Sequence, residues 1–179
     1  MDMFISYWHF TDKLRPENVK PISLDEAFEM FCRGIHSFGP FWDHVLGYWE
    51  AKQNNPNKIL FVKYEDLKEE DIVSQAKELA EFLGFPFSKE EEKQEQGVVE
   101  EIAKLCSFEN LKELEVNKSG NHPFGTPNKA YYRKGVVGDR SNYLTPLMVE
   151  RFEKLIQGKL GKSGLKFKLS SQTNKDVCD

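Results

Sequence analysis

A single short apolar run interrupts a chain whose other segments have the spacing of amphipathic helices. The run consists of Ile59, Leu60, Phe61 and Val62, and it follows a turn signal at residues 54–56. An apolar run of this length, with helical segments on either side, is typical of a strand buried in a parallel sheet. We therefore predict an α/β fold in which helices flank a strand at residues 59–62. Ligands in such folds bind beyond the carboxyl ends of the strands.

Helix-start signals divide much of the remaining chain. The first residues have helical spacing, and this helix is predicted to end before Arg15, because a following proline disfavours helical geometry. Ser23 with Glu26 three residues later fits the capping-box pattern of a second helix. Thr145 followed by Pro146 predicts the cap and the first residue of a final helix.

Between the second and the final helix, the sequence predicts two further helix starts, a charged helix face and a long loop. Asp66 is expected to cap the helix that follows the predicted strand, and Ser88 with Glu91 forms a second capping-box pattern. The charged run at residues 89–96 is expected to be a solvated helix face. Residues 117–130 are rich in Gly, Pro, Asn and Ser and are predicted to form a long loop.

The composition restricts the class of partner. A chain of 179 residues fits one domain, which we place at residues 1–169 with a polar tail at 170–179. A net charge of −4 argues against binding nucleic acid through a broad basic face. Three scattered cysteines and four histidines without partners at ligand spacing predict neither a disulfide framework nor a metal site. With no signal sequence and no membrane-length apolar segment, we expect a cytoplasmic protein.

The stretch from residue 131 to residue 139 has the chemistry of an anion-binding loop. Arg133 offers a planar fork of donors that matches a phosphate, and Lys134 adds a compact charge. Gly135 lets the backbone amide approach an anion closely. Tyr131 and Tyr132 place aromatic surface beside the charge, which suits a flat base or an acyl group. The alternative is a solvated surface turn.

Three other segments carry polar groups in mostly apolar surroundings. Ser6 lies on an aromatic helix, Tyr64 follows the predicted strand, and Ser107 stands between Cys106 and Phe108. Taken singly, each has a simpler structural interpretation. Ser6 is then a packing residue, Tyr64 a core-edge tyrosine and Ser107 a helix cap.

In their order along the chain, these segments resemble the motifs of cytosolic sulfotransferases, and most closely those of the plant branch. The matching segments are residues 4–10, 39–44, 61–67, 105–108, 114–118 and 132–139. The last has the frame Phe/Tyr-Arg-Lys-Gly-x-x-Gly-Asp and is highly specific when the others precede it. The resemblance runs from residue 4 to about residue 167, nearly the whole chain.

The resemblance implies a P-loop-like parallel sheet flanked by helices. It also implies transfer of a sulfuryl group from 3′-phosphoadenylyl sulfate to a hydroxyl of a small acceptor, with no metal. Carried over by position, Ser6, Arg133, Lys134 and Gly135 would hold the 3′-phosphate of the donor, and Tyr64 would contact its adenine. The residues expected along the nucleotide are Cys106, Ser107, Phe108, Glu109, Asn110 and Leu111, with Phe108 near the base.

The chain also departs from the family pattern. The N-terminal strand, the phosphate loop with Lys-Ser/Thr-Gly-Thr-Thr-Trp and the catalytic histidine of the family match nothing here. We therefore expect the C-terminal part of such an enzyme, with no catalytic residue of its own. Arg140 and Ser141 replace the tryptophan and lysine that usually follow Gly-Asp, and the dimer motif survives only as Thr145 and Glu150.

The function is consequently left open between two classes. One is a sulfotransferase segment that carries the 3′-phosphate and adenine side of the donor site, acting on a hydroxyl acceptor such as a flavonoid or steroid. The other is a catalytically inactive remnant that binds nucleotide or regulates a relative.

Overall fold

The computed structural model describes residues 1–69, 72–93 and 97–167. The predicted polar tail, and part of the charged run at residues 89–96, lie outside these ranges. The α-helices of the described part are α1 (Asp2–Lys13), α2 (Leu24–Cys32), α3 (Phe41–Asn54), α4 (Tyr64–Glu69), α5 (Ile72–Phe82), α6 (Lys89–Lys93), α7 (Val98–Leu105), α8 (Phe108–Glu113), α9 (Glu115–Ser119) and α10 (Pro146–Leu160). Two 3₁₀ helices cover Asn128–Tyr131 and Asp139–Asn142.

An aromatic core joins α1, α2, α3 and α10. Phe4 of α1 packs edge-on against Phe28 of α2, with ring centroids 5.7 Å apart, and Phe31 stacks on Phe152 of α10 at 5.9 Å. The remaining buried members of this core are Ile5, Trp42, Leu144, Ile156 and Leu160. Burying large aromatic side chains is the main favourable contribution to folding in such a cluster. The packing fixes α1, and with it the position of Ser6.

The predicted caps of α2 and α10 are confirmed. Ser23 and Glu26 form the reciprocal hydrogen bonds of a capping box at the start of α2. At the start of α10, the Thr145 hydroxyl accepts a hydrogen bond from the Met148 amide, and Pro146 occupies the first turn. These caps are correct because they depend on residues only three positions apart.

The predicted strand at residues 59–62 is not formed. None of these residues belongs to a strand, and the described residues contain one isolated β-bridge, between Asn121 and Pro127. A strand requires a hydrogen-bonding partner, and residues 1–69, 72–93 and 97–167 provide none beside this run. Phe61 instead packs edge-on against Trp49 of α3, with ring centroids 5.3 Å apart.

Two further expectations about local structure were wrong. Asp66 does not begin a helix, because α4 already starts at Tyr64 and Asp66 pairs with Lys63 at 3.0 Å. The predicted loop at residues 117–130 contains the end of α9, the isolated bridge and the start of the first 3₁₀ helix. Asn128 closes this segment by donating its amide to the Val116 carbonyl. Side-chain bonds between residues twelve positions apart are not visible in local sequence patterns.

Among the described helices, none is both long and apolar enough to cross a membrane.

The description of the core predicts that two alanine substitutions in α10 change the stability of the protein by very different amounts. Phe152 is 4% exposed, whereas Leu147 is 74% exposed. Replacing Phe152 by alanine should lower the free energy of unfolding by about 3–5 kcal/mol, because it leaves a cavity beside Phe31. The change Leu147→Ala should alter it by less than about 0.5 kcal/mol. Urea unfolding followed by circular dichroism measures both, and equal effects would contradict this description of the core.

Candidate functional site

A buried carboxylate lies at the centre of the candidate site. Asp139 is 4% exposed and begins the second 3₁₀ helix. Its oxygens accept hydrogen bonds from Arg133 Nη1 at 2.5 Å, Lys134 Nζ at 2.7 Å and Asn142 Nδ2 at 2.9 Å. The two cations predicted to bind an anion are therefore brought together by a third residue of the same loop.

The ionisation of Asp139 is fixed by these partners. Burial opposes the charged form and would raise the pKa of the carboxyl. Hydrogen bonds from Lys134, Arg133 and Asn142 outweigh this and hold the pKa of Asp139 well below its usual range. With Asp139 ionised, the Arg133, Lys134 and Asp139 side chains together keep one net positive charge.

Arg133 is the member of the cluster that reaches α1. Its Nη2 donates to the Ser6 hydroxyl at 3.3 Å, so Ser6 and Arg133 come together as predicted. Its Nε is buried and, within the described part of the chain, has no hydrogen-bond partner. A buried donor without a partner is costly unless an acceptor arrives. Arg133 therefore keeps hydrogen-bonding capacity that the protein itself does not use.

Lys134 extends the cluster toward solvent. Its side chain is 45% exposed, and its ammonium group lies 5.7 Å from the ring centroid of Tyr143. The side chain of Asp139, by contrast, is almost fully enclosed beneath the two cations. An anion from solvent would meet the cations first and not the carboxylate.

A second buried carboxylate attaches this loop to α1. Asp2 accepts hydrogen bonds from the backbone amides of Gly138 at 2.9 Å and Arg140 at 2.8 Å. The Arg140 guanidinium also lies 3.4 Å from Asp2. Asp2 and Ser6 are four residues apart, on one face of α1. Helix α1 therefore holds the loop through Asp2 and contacts Arg133 through Ser6.

Gly135 turns the backbone over an aromatic ring. Its φ of +66° lies in the left-handed region, and a Cβ added there would come within 2.6 Å of the Phe108 ring. Tyr132 packs on the same ring with centroids 5.6 Å apart, and the Lys68 ammonium lies 5.8 Å from it. Phe108 is thus brought next to the Arg-Lys-Gly stretch, and α8 supplies an aromatic surface beside the cations.

The other predicted residues of the α7–α8 junction have mainly local contacts. Ser107 caps α8, because its hydroxyl accepts a hydrogen bond from the Asn110 backbone amide at 3.2 Å. This is the simpler of the two roles considered for Ser107 from the sequence. The Asn110 side chain donates to the Leu105 carbonyl at 2.7 Å. Cys106 and Glu109 are exposed, and Leu111 is half-buried. None of the bonds found for these five residues reaches Arg133 or Lys134.

Tyr131 and Tyr64, the other two tyrosines predicted to contact the nucleotide, lie in different surroundings. Tyr131 is 53% exposed and packs on Phe10 of α1, with ring centroids 5.2 Å apart. Tyr64 is 46% exposed, and burial of its hydroxyl raises the pKa of the phenol, as do the nearby carboxylates of Asp2 and Glu109. Tyr64 lines a cavity together with Met1 and Met3, at the start of α1.

Sequence reasoning missed Asp2, Lys68, Asp139 and Asn142 as members of the site. Asp139 was part of the quoted motif, but no role was assigned to it. For Asp2, the available signal was its position one helical turn before Ser6 on the same face. For Lys68 and Asn142, we find no sequence signal that distinguishes them from ordinary surface residues. Within the described residues, no three His, Cys, Asp or Glu side chains are grouped as a metal site.

The close approach of Gly135 to Phe108 gives a test of the loop geometry. Gly135→Ala should destabilise the protein by about 1–3 kcal/mol more than Gly138→Ala. Both substitutions place alanine at a positive φ, but only the one at Gly135 also brings its Cβ into a clash with the Phe108 ring. Gly138 has φ +89° but open space where a Cβ would lie. Thermal and urea unfolding measure both. Adding Phe108→Ala to Gly135→Ala should recover part of the loss, and no recovery would argue against the contact.

The depressed pKa of Asp139 predicts a defined pH dependence. In the unfolded chain an aspartate titrates near about pH 4. A lower pKa in the folded state stabilises the protein above that value, and the stabilisation is lost as the pH falls toward the folded-state pKa. The difference in unfolding free energy between wild type and Asp139→Asn should be constant from about pH 8 to 5 and shrink below about pH 4.

A surface carboxylate provides the control for this titration. Glu150 pairs with Lys154 on the exposed side of α10, and Glu150→Gln should have little effect at any pH, since exposed pairs contribute little. A wild-type advantage over Asp139→Asn that grew on acidification would contradict the proposed ionisation.

Comparisons with known proteins identify the family of the chain. The family model described as "Sulfotransferase domain" matches residues 1–164. Cytosolic sulfotransferase 15 of Arabidopsis thaliana is 53% identical over 169 residues, which are 94% of this chain and 46% of that protein. Flavonol 4′-sulfotransferase of Flaveria chlorifolia is 50% identical, over 93% of this chain and 52% of its own length. The chain thus spans about half the length of these relatives.

A solved structure shows the same fold at lower identity. Mouse sulfotransferase SULT7A1, complexed with PAP, superposes with a TM-score of 0.71 at 28% identity, covering 90% of this chain and 55% of the mouse chain. The helices described here therefore correspond to part of the α/β sulfotransferase fold, although the described residues themselves form no sheet. On the match over residues 1–164 and the identity to plant relatives, the chain belongs to the sulfotransferase domain family.

Proposed function

We propose that this chain forms the 3′-phosphate and adenine side of the donor site in an enzyme that uses 3′-phosphoadenylyl sulfate. In the proposed reaction the sulfuryl group leaves the donor phosphate and forms a new S–O bond to an acceptor hydroxyl, which loses its proton. The chain's own residues are proposed to bind and orient the nucleotide.

The observation that carries the proposal is the meeting of Arg133, Lys134 and Ser6 around Asp139, where the two cations and the carboxylate leave one net positive charge. Arg133 has a buried Nε without a described partner, and Lys134 is partly open to solvent. A phosphate group can accept several hydrogen bonds from such a cluster, and charge-assisted bonds of this type are short and strong. Gly135 is proposed to offer its backbone amide to a phosphate oxygen on the side that the Phe108 ring does not cover.

The aromatic surface beside the cluster supports the adenine part of the proposal. Phe108 and Tyr132 pack against each other next to the Gly135 turn. Flat purine rings bind to such surfaces by stacking. We propose that Phe108 contacts the base directly and that Tyr64 borders it. Cys106, Ser107, Glu109, Asn110 and Leu111 would shape the backbone along the nucleotide.

The acceptor is proposed to be a small molecule with a hydroxyl, such as a flavonoid or a steroid. The support is the identity to flavonol 4′-sulfotransferase and to flavonol 3-sulfotransferase of Flaveria bidentis, at 50% and 47%. We also propose that the protein acts in the cytosol, as the names of its Arabidopsis relatives indicate for them.

The proposal predicts that nucleotide affinity depends on the 3′-phosphate. Adenosine 3′,5′-bisphosphate should bind more tightly than adenosine 5′-phosphate by about 1.5–3 kcal/mol, the contribution of a charged hydrogen-bonding group. This corresponds to roughly tenfold or more in Kd. Arg133→Ala should remove the preference and leave weak binding of both nucleotides through the aromatic surface. Titration calorimetry with the two nucleotides measures it.

An arginine outside the cluster serves as the control. Arg33 is exposed at the end of α2, and Arg33→Ala should keep the wild-type preference. Equal affinities in the wild type, or a preference that survives Arg133→Ala, would mean that the cluster is only a surface turn.

A further inference from the structure

Tyr143 follows directly after the second 3₁₀ helix, which begins with Asp139. Its backbone amide donates to the Arg140 carbonyl at 3.1 Å, and the amide of Leu144 donates to the same carbonyl at 2.8 Å. Leu144 is buried in the aromatic core, so the position of this segment is fixed. The same short segment therefore carries both the carboxylate that binds Lys134 and an aromatic ring beside it.

Helix α1 holds the ring of Tyr143 in place. The ring centroid of His9 lies 5.0 Å from that of Tyr143 at an angle of 76°, and the centroid of Trp8 lies 6.2 Å away at 71°. Both are edge-to-face arrangements, which aromatic pairs prefer. Burial, and next the charge of Arg133, lower the pKa of His9, so its imidazole adds no positive charge near pH 7. A half-buried ring with a neutral neighbour is thus presented to the cluster.

The ammonium group of Lys134 lies over this ring, 5.7 Å from its centroid. A cation within about 6 Å of an aromatic centroid is attracted by the quadrupole of the ring. The same ammonium donates a hydrogen bond to Asp139 at 2.7 Å, which raises the pKa of Lys134 and keeps it charged at neutral pH. An ammonium has three donors, and Asp139 is its only hydrogen-bond partner among the described residues. Two donors remain for a ligand.

A ring and a carboxylate hold a cation in different ways. A carboxylate cancels its charge, whereas a ring attracts it without cancelling it. Arg133 and Lys134 already share the one carboxylate of Asp139, and a second carboxylate in the place of Tyr143 would leave the cluster without net charge. The ring instead restricts a side chain that is 45% exposed. Restriction before binding reduces the entropy lost when a ligand arrives.

We propose that Tyr143 is a positioning residue of the anion cluster, which holds Lys134 over its ring and leaves two donors of the ammonium available to phosphate oxygens. The inference rests on the proposed function, because the phosphate concerned is the 3′-phosphate of the nucleotide. Tyr143 acts through Lys134 and does not itself touch the nucleotide.

Nucleotide titration of ring variants tests the proposal. Tyr143→Leu should weaken the binding of adenosine 3′,5′-bisphosphate about two- to fivefold, the effect of one partly exposed cation–π contact. It should leave the affinity for adenosine 5′-phosphate unchanged. Tyr143→Phe keeps the ring and should bind both as the wild type does. Tyr48→Leu is the control, because Tyr48 is an exposed tyrosine of α3 that packs on His44, and it should also bind as the wild type.

Dependence on Lys134 separates positioning from a general structural effect. In a Lys134→Ala background, adding Tyr143→Leu should cause no further loss of affinity, because the ring has no ammonium left to hold. A general loosening of the loop would weaken binding in both backgrounds. Titration calorimetry of the four proteins of this cycle measures the difference.

A measurement without nucleotide tests the contact itself. Protons over the face of an aromatic ring are shifted upfield in nuclear magnetic resonance. The ε-methylene signal of Lys134, in protein labelled with ¹³C-lysine, is assigned by its loss in Lys134→Ala. It should move downfield in Tyr143→Leu and keep its position in Tyr143→Phe.

A loss in Tyr143→Leu that is confined to the bisphosphate, absent in Tyr143→Phe and absent in the Lys134→Ala background supports the proposal. Equal loss for both nucleotides, unchanged binding, a full additional loss in Lys134→Ala, or an unmoved lysine signal overturns it. If circular dichroism shows Tyr143→Leu to be unfolded, Tyr143→Met, also apolar and without a ring, replaces it in every comparison. A wild type without a 3′-phosphate preference overturns the proposed function, and the lysine signal then decides alone whether Tyr143 positions Lys134.

Discussion

The candidate site depends on one buried carboxylate that two cations and an amide surround. Arginine and lysine side chains are long, and side by side on a loop they would repel each other and sample many conformations. Asp139 removes both difficulties, because it offsets part of their charge and gives each a fixed hydrogen-bonding partner. Because the carboxylate is enclosed, the cations keep their outer surfaces available. A loop that would otherwise be a solvated turn becomes a preorganised group of donors.

This loop is in turn fixed by helix α1, which also supplies Ser6 to the cluster. Phe4 and Ile5 place α1 in the aromatic core, with exposures of 2% and 0%. The opposite edge of the same helical turn presents Asp2 to the backbone of the loop and Ser6 to Arg133. Residues 2–6 therefore take part in the aromatic core, in the attachment of the loop and in the anion cluster. Changes in the packing of α1 should be transmitted to the geometry of the cations over a very short distance.

The sequence allowed reliable prediction where the determining interactions were local or the motif was specific. The caps at Ser23 and Thr145 depend on bonds across three residues, and the Arg133 segment was identified from contiguous residues and their order relative to other segments. The strand at residues 59–62 could not be judged in this way, because a strand is defined by a partner and not by its own composition. Asp2 was missed for a related reason, because its bonds reach Gly138 and Arg140, more than 130 residues away. The partners of Asp139 lie within six residues of it, but an irregular loop brings them together and local spacing does not show this. The cofactor roles assigned to Ser6, Tyr64, residues 106–111 and residues 131–135 remain predictions.

The bonds that Asp2 makes to the loop have a consequence for hydrogen exchange. Amides in short irregular segments near a surface usually exchange rapidly with solvent. The amides of Gly138 and Arg140 are instead bound to a buried side chain at the other end of the chain. Their deuterium uptake should therefore follow the detachment of α1 rather than local fluctuation of the loop. Two backbone hydrogens would thus serve as a reporter, at single-residue resolution, of how often the N-terminal helix separates from the rest of the molecule.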